Sequence, residues 1–514
     1  MRAKDCWRVL LVLCVLAVAA CAQTSHIEIA AQLLTNGDTA QAEVEARKAL
    51  QSPSTRALAL AMLGTIRLQQ GKTEESTKFL EQALALNPRL LGARTTLGNA
   101  YAFSNKPDLA AKCFREVLKV DPSNFAARFD LFKLEASRRN FQQSLDVGAP
   151  IMSQLLESDE ALVVLASDYG ALGKKEQLAD LVAHWQKLPQ PEDQAALDFG
   201  NTLLVYGMKS EATEVFQGEE ARLGPRPSPP LALKLGNAFL SLGLLDEAER
   251  NAQRALSLAP DCVACYQTLA QISVRHDNSE KALAYLVAAR KRAPEDPEVL
   301  FEFGKVCLER NLVDDALSAL SKAVELQPDN DSYVYALGSA NVGGGHLPDA
   351  LALFQRLLQK HPHDASLTYA IGAVYYLQAK YSDAEASLKE SLAVQPNQVA
   401  ASYYLALTYD AIGDDDRAIP VFRELLKNNP RHAPSYVKLG GILLRAHQYE
   451  DAQQNLQRAV ALDPDSVEAH YQLGLLLRRL GKPAESDSEF AESRKLEAAQ
   501  RAQKDVRLRL LLPD

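Results

Sequence analysis

The 514 residues contain no H-E-x-x-H, no G-x-S-x-G, no G-x-x-x-x-G-K-[ST] and no glycine-rich dinucleotide turn. Those patterns carry zinc hydrolysis, serine acyl transfer, nucleotide-phosphate binding and dinucleotide binding, so each absence removes a class of chemistry. No stretch interleaves Lys and Arg with aromatics, and 56 Lys+Arg stand against 65 Asp+Glu for a net charge of −9. A groove for nucleic acid needs the opposite. Asp414-Asp415-Asp416 lacks the spacing of a calcium loop and reads as a solvated helix start. His361 and His363 flank Pro362 in a turn, where two imidazoles are ordinary surface residues. Gly343-Gly344-Gly345 follows a helical segment, not a strand, and reads as a loosened inter-helix loop. The chain is therefore expected to be no enzyme, and to need no cofactor and no metal.

What is present is a period. Pro260, Pro294, Pro328, Pro362, Pro396, Pro430 and Pro464 stand 34 residues apart, and Pro88 and Pro122 keep the same interval earlier. A helix breaker at fixed spacing marks a stack of one small unit instead of a closed globular core. With the proline at position 32 of each unit, position 8 is small: Gly64, Gly98, Gly200, Gly236, Gly304, Gly338, Gly372, Gly440 and Gly474, with Ala270 and Ala406 in two gaps. Position 20 carries alanine from Ala110 and Ala212 through Ala418 and Ala452, and position 7 stays bulky and apolar from Leu63 to Leu473. Two antiparallel helices that cross closely need small residues at the crossing and large ones in the seam beside it.

Stretches such as Tyr403-Tyr404-Leu405-Ala406-Leu407-Thr408-Tyr409 through Ala418 and Phe422, and Leu235-Gly236-Asn237-Ala238-Phe239 through Ala248 and Ala255, resemble the tetratricopeptide repeat family. The resemblance runs from residue 23 to residue 500. It implies an all-α, right-handed α-solenoid superhelix of helix–turn–helix units with a concave binding face. On the resemblance, the units tile as fourteen repeats: 23–56, 57–90, 91–124, 125–158, 159–192, 193–228, and then eight from 229 to 500. Repeats 4 and 5 (125–192) lose the small residues at position 8 or 20 and the terminal proline. Repeat 6 carries two extra residues within Gly224-Pro225-Arg226-Pro227-Ser228-Pro229-Pro230, read either as a kink between an N-terminal block (23–228) and a regular block (229–500) or as a long loop. Residues 501–514 are expected to cap the last helix, with a frayed end as the alternative.

Arg2, Lys4 and Arg8 precede an apolar run from Val9 to Ala19, followed by Ala19-Ala20-Cys21-Ala22. This is the pattern of a secretory signal peptide over residues 1–22, too short for a stable membrane span. Two cleavages compete. Val18-Ala19-Ala20-Cys21 resembles a bacterial lipobox that would leave a lipidated Cys21, and Ala20-Cys21-Ala22 before Gln23 fits ordinary signal peptidase. Export to the periplasm, the outer membrane or the medium is the expectation, with membrane attachment only through the N-terminal lipid. In such a compartment Cys262-Val263-Ala264-Cys265 could oxidise; the pair reads as small packing residues, as a structural disulfide or, least favoured because a βαβ setting and four convergent ligands are lacking, as a redox or metal site.

The family resemblance implies that positions 2, 5, 9, 12 and 13 of each first helix face the groove. Position 5 is never lysine, so the chaperone-binding clamp of some members is missing, and position 6 lacks the asparagine ladder of others. Instead, position 5 of the last repeats reads Phe301, Tyr335, Tyr369, Tyr403, Val437 and Tyr471, with Tyr376 at position 12 and Arg445, Arg478 and Arg479 at the C-terminal end. This aromatic line is either a recognition stripe or packing against the neighbouring hairpin. The expected function is a non-catalytic scaffold of the bacterial envelope that holds proteins or extended peptides of assembly and secretion machinery. The alternative is a polysaccharide or other extended ligand, and nucleic acid is not expected.

Overall fold

The computed structural model describes residues 26–224 and 227–511, with side chains through residue 500. Residues 1–22, the lipidation candidate Cys21, and Pro225 and Arg226 of the proline-rich segment lie outside the described residues. Every regular element among those described is helical, giving an all-α helical-repeat fold.

The chain forms two compact units, Met1–Ile272 and Ser273–Asp514, described separately. The division falls inside the helix Val263–Arg275. In a repeat array each hairpin touches only its neighbours, so a chain this long parts readily into separate units.

In the first unit, repeat 2 pairs Arg56–Gln69 with Thr73–Leu86, and repeat 3 pairs Leu91–Phe103 with Pro107–Val120. The second helix of each ends two residues before the position-32 proline, at Leu86 and Val120, and the C-cap residues Asn87 and Asp121 have extended backbones (φ −141° and −130°) as a pre-proline residue must. The position-8 glycine is a notch for the side chain at position 24. A Cβ on Gly98 would meet the Phe114 ring at 2.5 Å, and Phe114 is 1% exposed. Where serine replaces alanine at position 20, its hydroxyl bonds the position-8 carbonyl: Ser76 to Gly64 O at 2.7 Å and Ser144 to Phe132 O at 3.0 Å.

Repeat 4 keeps this joint with its partners exchanged. Phe132 occupies position 8 and Gly148 position 24, so the ring comes from the first helix and the notch from the second. Phe132 is fully buried, and a Cβ on Gly148 would meet its ring at 3.1 Å. The second helix then breaks into Phe141–Gly148, a 3₁₀ turn Ala149–Ile151 and Met152–Leu155, around Pro150.

Repeats 1 and 2 are tied by a part-buried ion pair. Arg67, 7% exposed, donates to both carboxylate oxygens of Glu43 at 2.6 and 2.7 Å. This holds the Glu43 carboxyl down at about 2, against a usual carboxylate value near 4.3 in an unfolded chain. A depressed folded pKa contributes stability that is complete above the unfolded value and fades as pH falls through the folded one. Protection of the amides in Thr39–Gln69, relative to their intrinsic exchange rates at each pH, is therefore expected to fall between about pH 4.5 and 2. Arg67→Met should weaken that pH dependence, leaving only the share that comes from Arg47, which also bonds Glu43; an identical acid response in the variant would refute the assignment.

In the second unit, repeats 9 to 14 follow one plan, from Pro297–Glu309 with Val313–Leu326 to Val467–Arg479 with the long helix Pro483–Leu511. Residues 501–511 extend that last helix. Ala316, Ala350, Ala384, Ala418 and Ala452 at position 20 are fully buried. One feature runs through both units. The residue at position 15, in the turn between the helices, has positive φ in every repeat, from Gly37 and Gly71 to Gly413 and Gly481. Ala379 holds it at +57° without the freedom of glycine. Ala379→Gly should stabilise repeat 11 by about 1 kcal/mol, since a left-handed non-glycine residue costs roughly that much. A lower denaturation midpoint for the variant would contradict this.

Candidate functional site

The concave positions named by the sequence converge in the second unit on one concavity of about 540 Å³. From repeat 9 the helix Pro297–Glu309 supplies Phe301, Lys305 and Leu308, at positions 5, 9 and 12. From repeat 10 the helix Asp331–Gly343 supplies Ser332, Tyr335 and Ser339, at positions 2, 5 and 9. The far wall is Leu357 and His361, at the end of Leu347–Lys360, with Asp364, Ser366 and Leu367 leading into repeat 11.

Side chains four residues apart lie on one helix face, and a 34-residue period repeats that face, so the groove inherits one aromatic per repeat. Phe301 leans on Tyr333 with centroids 4.8 Å apart and carries the Lys305 ammonium 5.2 Å above its ring. Tyr335 rests on Phe354, the position-24 ring of its own hairpin, at 5.3 Å, and remains 36% exposed. Burial of the rest of the ring raises its hydroxyl pKa, so the hydroxyl stays a donor at neutral pH. On the rim, His361 Nε2 and Asp331 Oδ2 are 2.6 Å apart and Lys360 reaches Asp331 at 3.1 Å. These two hydrogen bonds, that from His361 first, hold the Asp331 carboxyl below its usual range. The site offers an apolar floor, four hydroxyls (Ser332, Tyr335, Ser339 and Ser366) and separated charges of both signs. It can bury an apolar side chain and fix a polar backbone beside it.

The remaining sequence candidates divide. Tyr471, 49% exposed, packs at a tilt against Phe490 with centroids 5.6 Å apart and continues the exposed line. Tyr369 and Tyr376 instead pack edge-on against Tyr404, at 5.9 and 5.5 Å. Tyr403 is wedged among Tyr404, Phe422 and His432, with centroids 5.3 to 6.1 Å away. Burial pushes the hydroxyls of Tyr369 and Tyr403 up to about 12, and these rings are as much hairpin packing as groove lining. Arg445 is not a free groove cation: it pairs with Asp410 and lies 3.6 Å from Asp415. Arg478 pairs with Asp487 at 3.2 Å and covers Phe490. Arg479 is exposed without an ion pair among the described residues. Cys262 and Cys265 are joined as a disulfide.

Sequence reasoning passed over His361 as a surface residue, although its position at the end of the second helix puts it on the groove rim. It also passed over Asp168. That aspartate occupies position 10, where Ile66, Ala238, Val306, Val374, Ile442 and Leu476 are buried core residues, and it is itself fully buried. Neither carboxylate oxygen has a hydrogen-bond partner among the described residues. Among those residues no group of His, Cys, Asp and Glu is arranged to hold a metal ion, and no helix is long and apolar enough to cross a membrane.

The chain is 32% identical over 114 residues to the human protein O-mannosyl-transferase TMTC1, and 32% identical over 90 residues to the mouse protein. These stretches are 21% and 17% of this chain but only 13% and 10% of those relatives, so the chain spans a small part of their length. Among solved structures, a tetratricopeptide repeat protein from Parabacteroides merdae aligns over 48% of this chain and 98% of its own, with 17% identity and a TM-score of 0.45. Yeast Tom70 aligns over 97% of both chains at 15% identity and a TM-score of 0.38. The tetratricopeptide repeat models match residues 57–90, 95–149, 230–262, 268–331, 335–381 and 374–433, and a further repeat model matches 440–481. With the same small-residue crossing and the same left-handed turn recurring from one hairpin to the next, this chain belongs to the tetratricopeptide repeat family, whose arrays bind peptides and other proteins.

Proposed function

We propose that this protein is an exported, non-catalytic scaffold that holds an extended peptide segment of a partner in the groove of repeats 9 to 11. The observation that carries the reading is the concavity itself. Exposed Tyr335 and half-buried Phe301 stand one repeat apart over an apolar floor, with Lys305 and the Asp331–His361 pair at its edges. Aromatic rings give large contact area at small entropic cost, and anchors of this kind dominate peptide affinity. The basic start and apolar run over residues 2–19 support export to a bacterial envelope, and Cys21 supports lipid anchoring there.

Selection of peptides from a random library against the full chain should return sequences with a recurrent apolar side chain. The double variant Phe301→Ser, Tyr335→Ser should bind them at least about tenfold more weakly, the loss expected for two anchor rings, with only a small change in melting temperature. Affinity unchanged by the double variant, or lost only along with helicity, would overturn the site. Competition by soluble polysaccharide at the same residues would replace the peptide reading by a glycan one. For localisation, Cys21→Ala should move the protein from the membrane to the soluble fraction of the envelope. An unchanged distribution with Gln23 at the mature N-terminus would sink lipid anchoring.

A further inference from the structure

Cys262 and Cys265 bracket the first turn of the helix Val263–Arg275, and the two sulfurs differ in every respect that governs exchange. Cys265 is fully buried, packed with Ala232 and Ala255. Cys262 is only half-buried and stands immediately before the helix, at its N-cap. The Cys265 backbone N–H donates to Cys262 Sγ at 3.1 Å, so this sulfur already occupies the place of a capping acceptor. A thiolate left there would be stabilised by that N–H and by the positive end of the helix dipole. The other described cysteines, Cys113 and Cys307, are buried and unpaired, and burial raises both thiols, Cys307 to about 12. The sequence alone favoured packing residues or a structural bridge for this C-x-x-C and placed redox function last; neither favoured role calls for such asymmetry.

We propose that Cys262–Cys265 is an exchange-competent disulfide, a redox site that reacts with small dithiols or dithiol proteins through Cys262. A thiolate of the dithiol attacks Cys262 Sγ, forming a mixed disulfide. The Cys262–Cys265 bond breaks, and its electron pair leaves on Cys265 Sγ, which takes up a proton. The second thiol of the reductant, deprotonated, then attacks its own sulfur in the mixed disulfide and releases Cys262 as a thiolate on the Cys265 N–H. Two electrons and one proton pass to the protein, the second proton of the dithiol goes to solvent, and the reductant leaves as its own disulfide. Attack on Cys265 is excluded by its burial. Reduction frees the entry to Val263–Arg275 from the bond that ties it to a residue packed against Pro229–Leu258, so the site would set how firmly this helix is held on the hairpin before it.

The test uses the full chain with Cys113→Ala and Cys307→Ala, so that only this pair reports. In native buffer, dithiothreitol followed by acid quench and maleimide labelling should release two thiols together, without denaturant. With Cys265→Ala, Cys262 should react with a disulfide probe such as dithiobis-nitrobenzoate at least about tenfold faster than Cys265 does with Cys262→Ala. Its rate should rise with a midpoint below the ordinary thiol value of about 8.5. Release only after unfolding, equal rates for the two cysteines, or a midpoint at or above the ordinary value would each overturn the proposal. Far-UV circular dichroism checks helicity; should either single variant lose it, the native reduction of the unsubstituted pair decides alone.

Discussion

Asp168→Val will raise the stability of the first unit at pH 8 by about 2–4 kcal/mol, and the gain will shrink toward pH 4. Asp168 is fully buried on the helix Asp159–Ala171. Burial drives its carboxyl to about 7, and the neighbouring Ser144 hydroxyl donates to the Phe132 carbonyl at 3.0 Å instead. In the unfolded chain the group titrates near 3.9, so between about pH 4 and 7 the folded state holds a proton that the unfolded state has lost. Stability therefore falls as pH rises through that window and stays low above it. Three pH units at about 1.4 kcal/mol each set the upper bound. Valine is what repeats 9 and 11 carry at this position, as Val306 and Val374, both buried. Denaturation followed by circular dichroism at pH 5 and pH 8, with hydrogen exchange over 159–192, measures the effect. Equal responses to pH in the two proteins would mean that the carboxylate is paired in solution.

Phe354→Ala will have the opposite sign and a similar size, costing about 3–5 kcal/mol. The ring is 2% exposed and fills the notch at Gly338, where an added Cβ would meet it at 2.6 Å. It packs with Val334, Leu357, Leu367 and Ile371 and supports Tyr335 from below. Because each hairpin is stabilised by itself and its neighbours, the loss should be concentrated in repeats 9 to 11. Hydrogen exchange should show Asp331–Lys360 opening while Tyr449–Leu462 keeps its protection. A loss below about 1 kcal/mol would mean that the site collapses around the missing ring.

The fold was open to reading because it is written many times over. Proline at position 32, the glycine at position 8 and the alanine at position 20 are each forced by backbone geometry or close approach, and repetition separates them from chance. The turn at position 15 was less legible. Glycine or asparagine marks many copies, but Arg139, Ala379 and His447 take the same left-handed conformation, imposed by the hairpins on either side. At the groove, the aromatic line could be read from spacing, whereas the half-burial of Tyr403 depends on Phe422 and on His432 at the end of the repeat. Arg445 is paired by Asp410, 35 residues earlier, and a list of groove positions cannot foresee which charges cancel. Asp168 was legible in principle: it is the one acid in a mostly apolar column of the alignment of repeats with one another, whose other polar members, Gln32, Thr202 and Thr408, carry no charge.

The exchange of Phe132 and Gly148 bears on how this array can be cut and rejoined. In repeat 3 the protrusion is carried by the second helix and the recess by the first; in repeat 4 the two are reversed. Whole hairpins bring lock and key together and can be transplanted. Single helices cannot: the first helix of repeat 4 set against the second helix of repeat 3 would oppose Phe132 to Phe114, and the converse graft would oppose Gly98 to Gly148 and leave a hole. The hairpin, not the helix, is thus the smallest interchangeable part of this chain, and repeat 4 is a part of opposite gender to its neighbour.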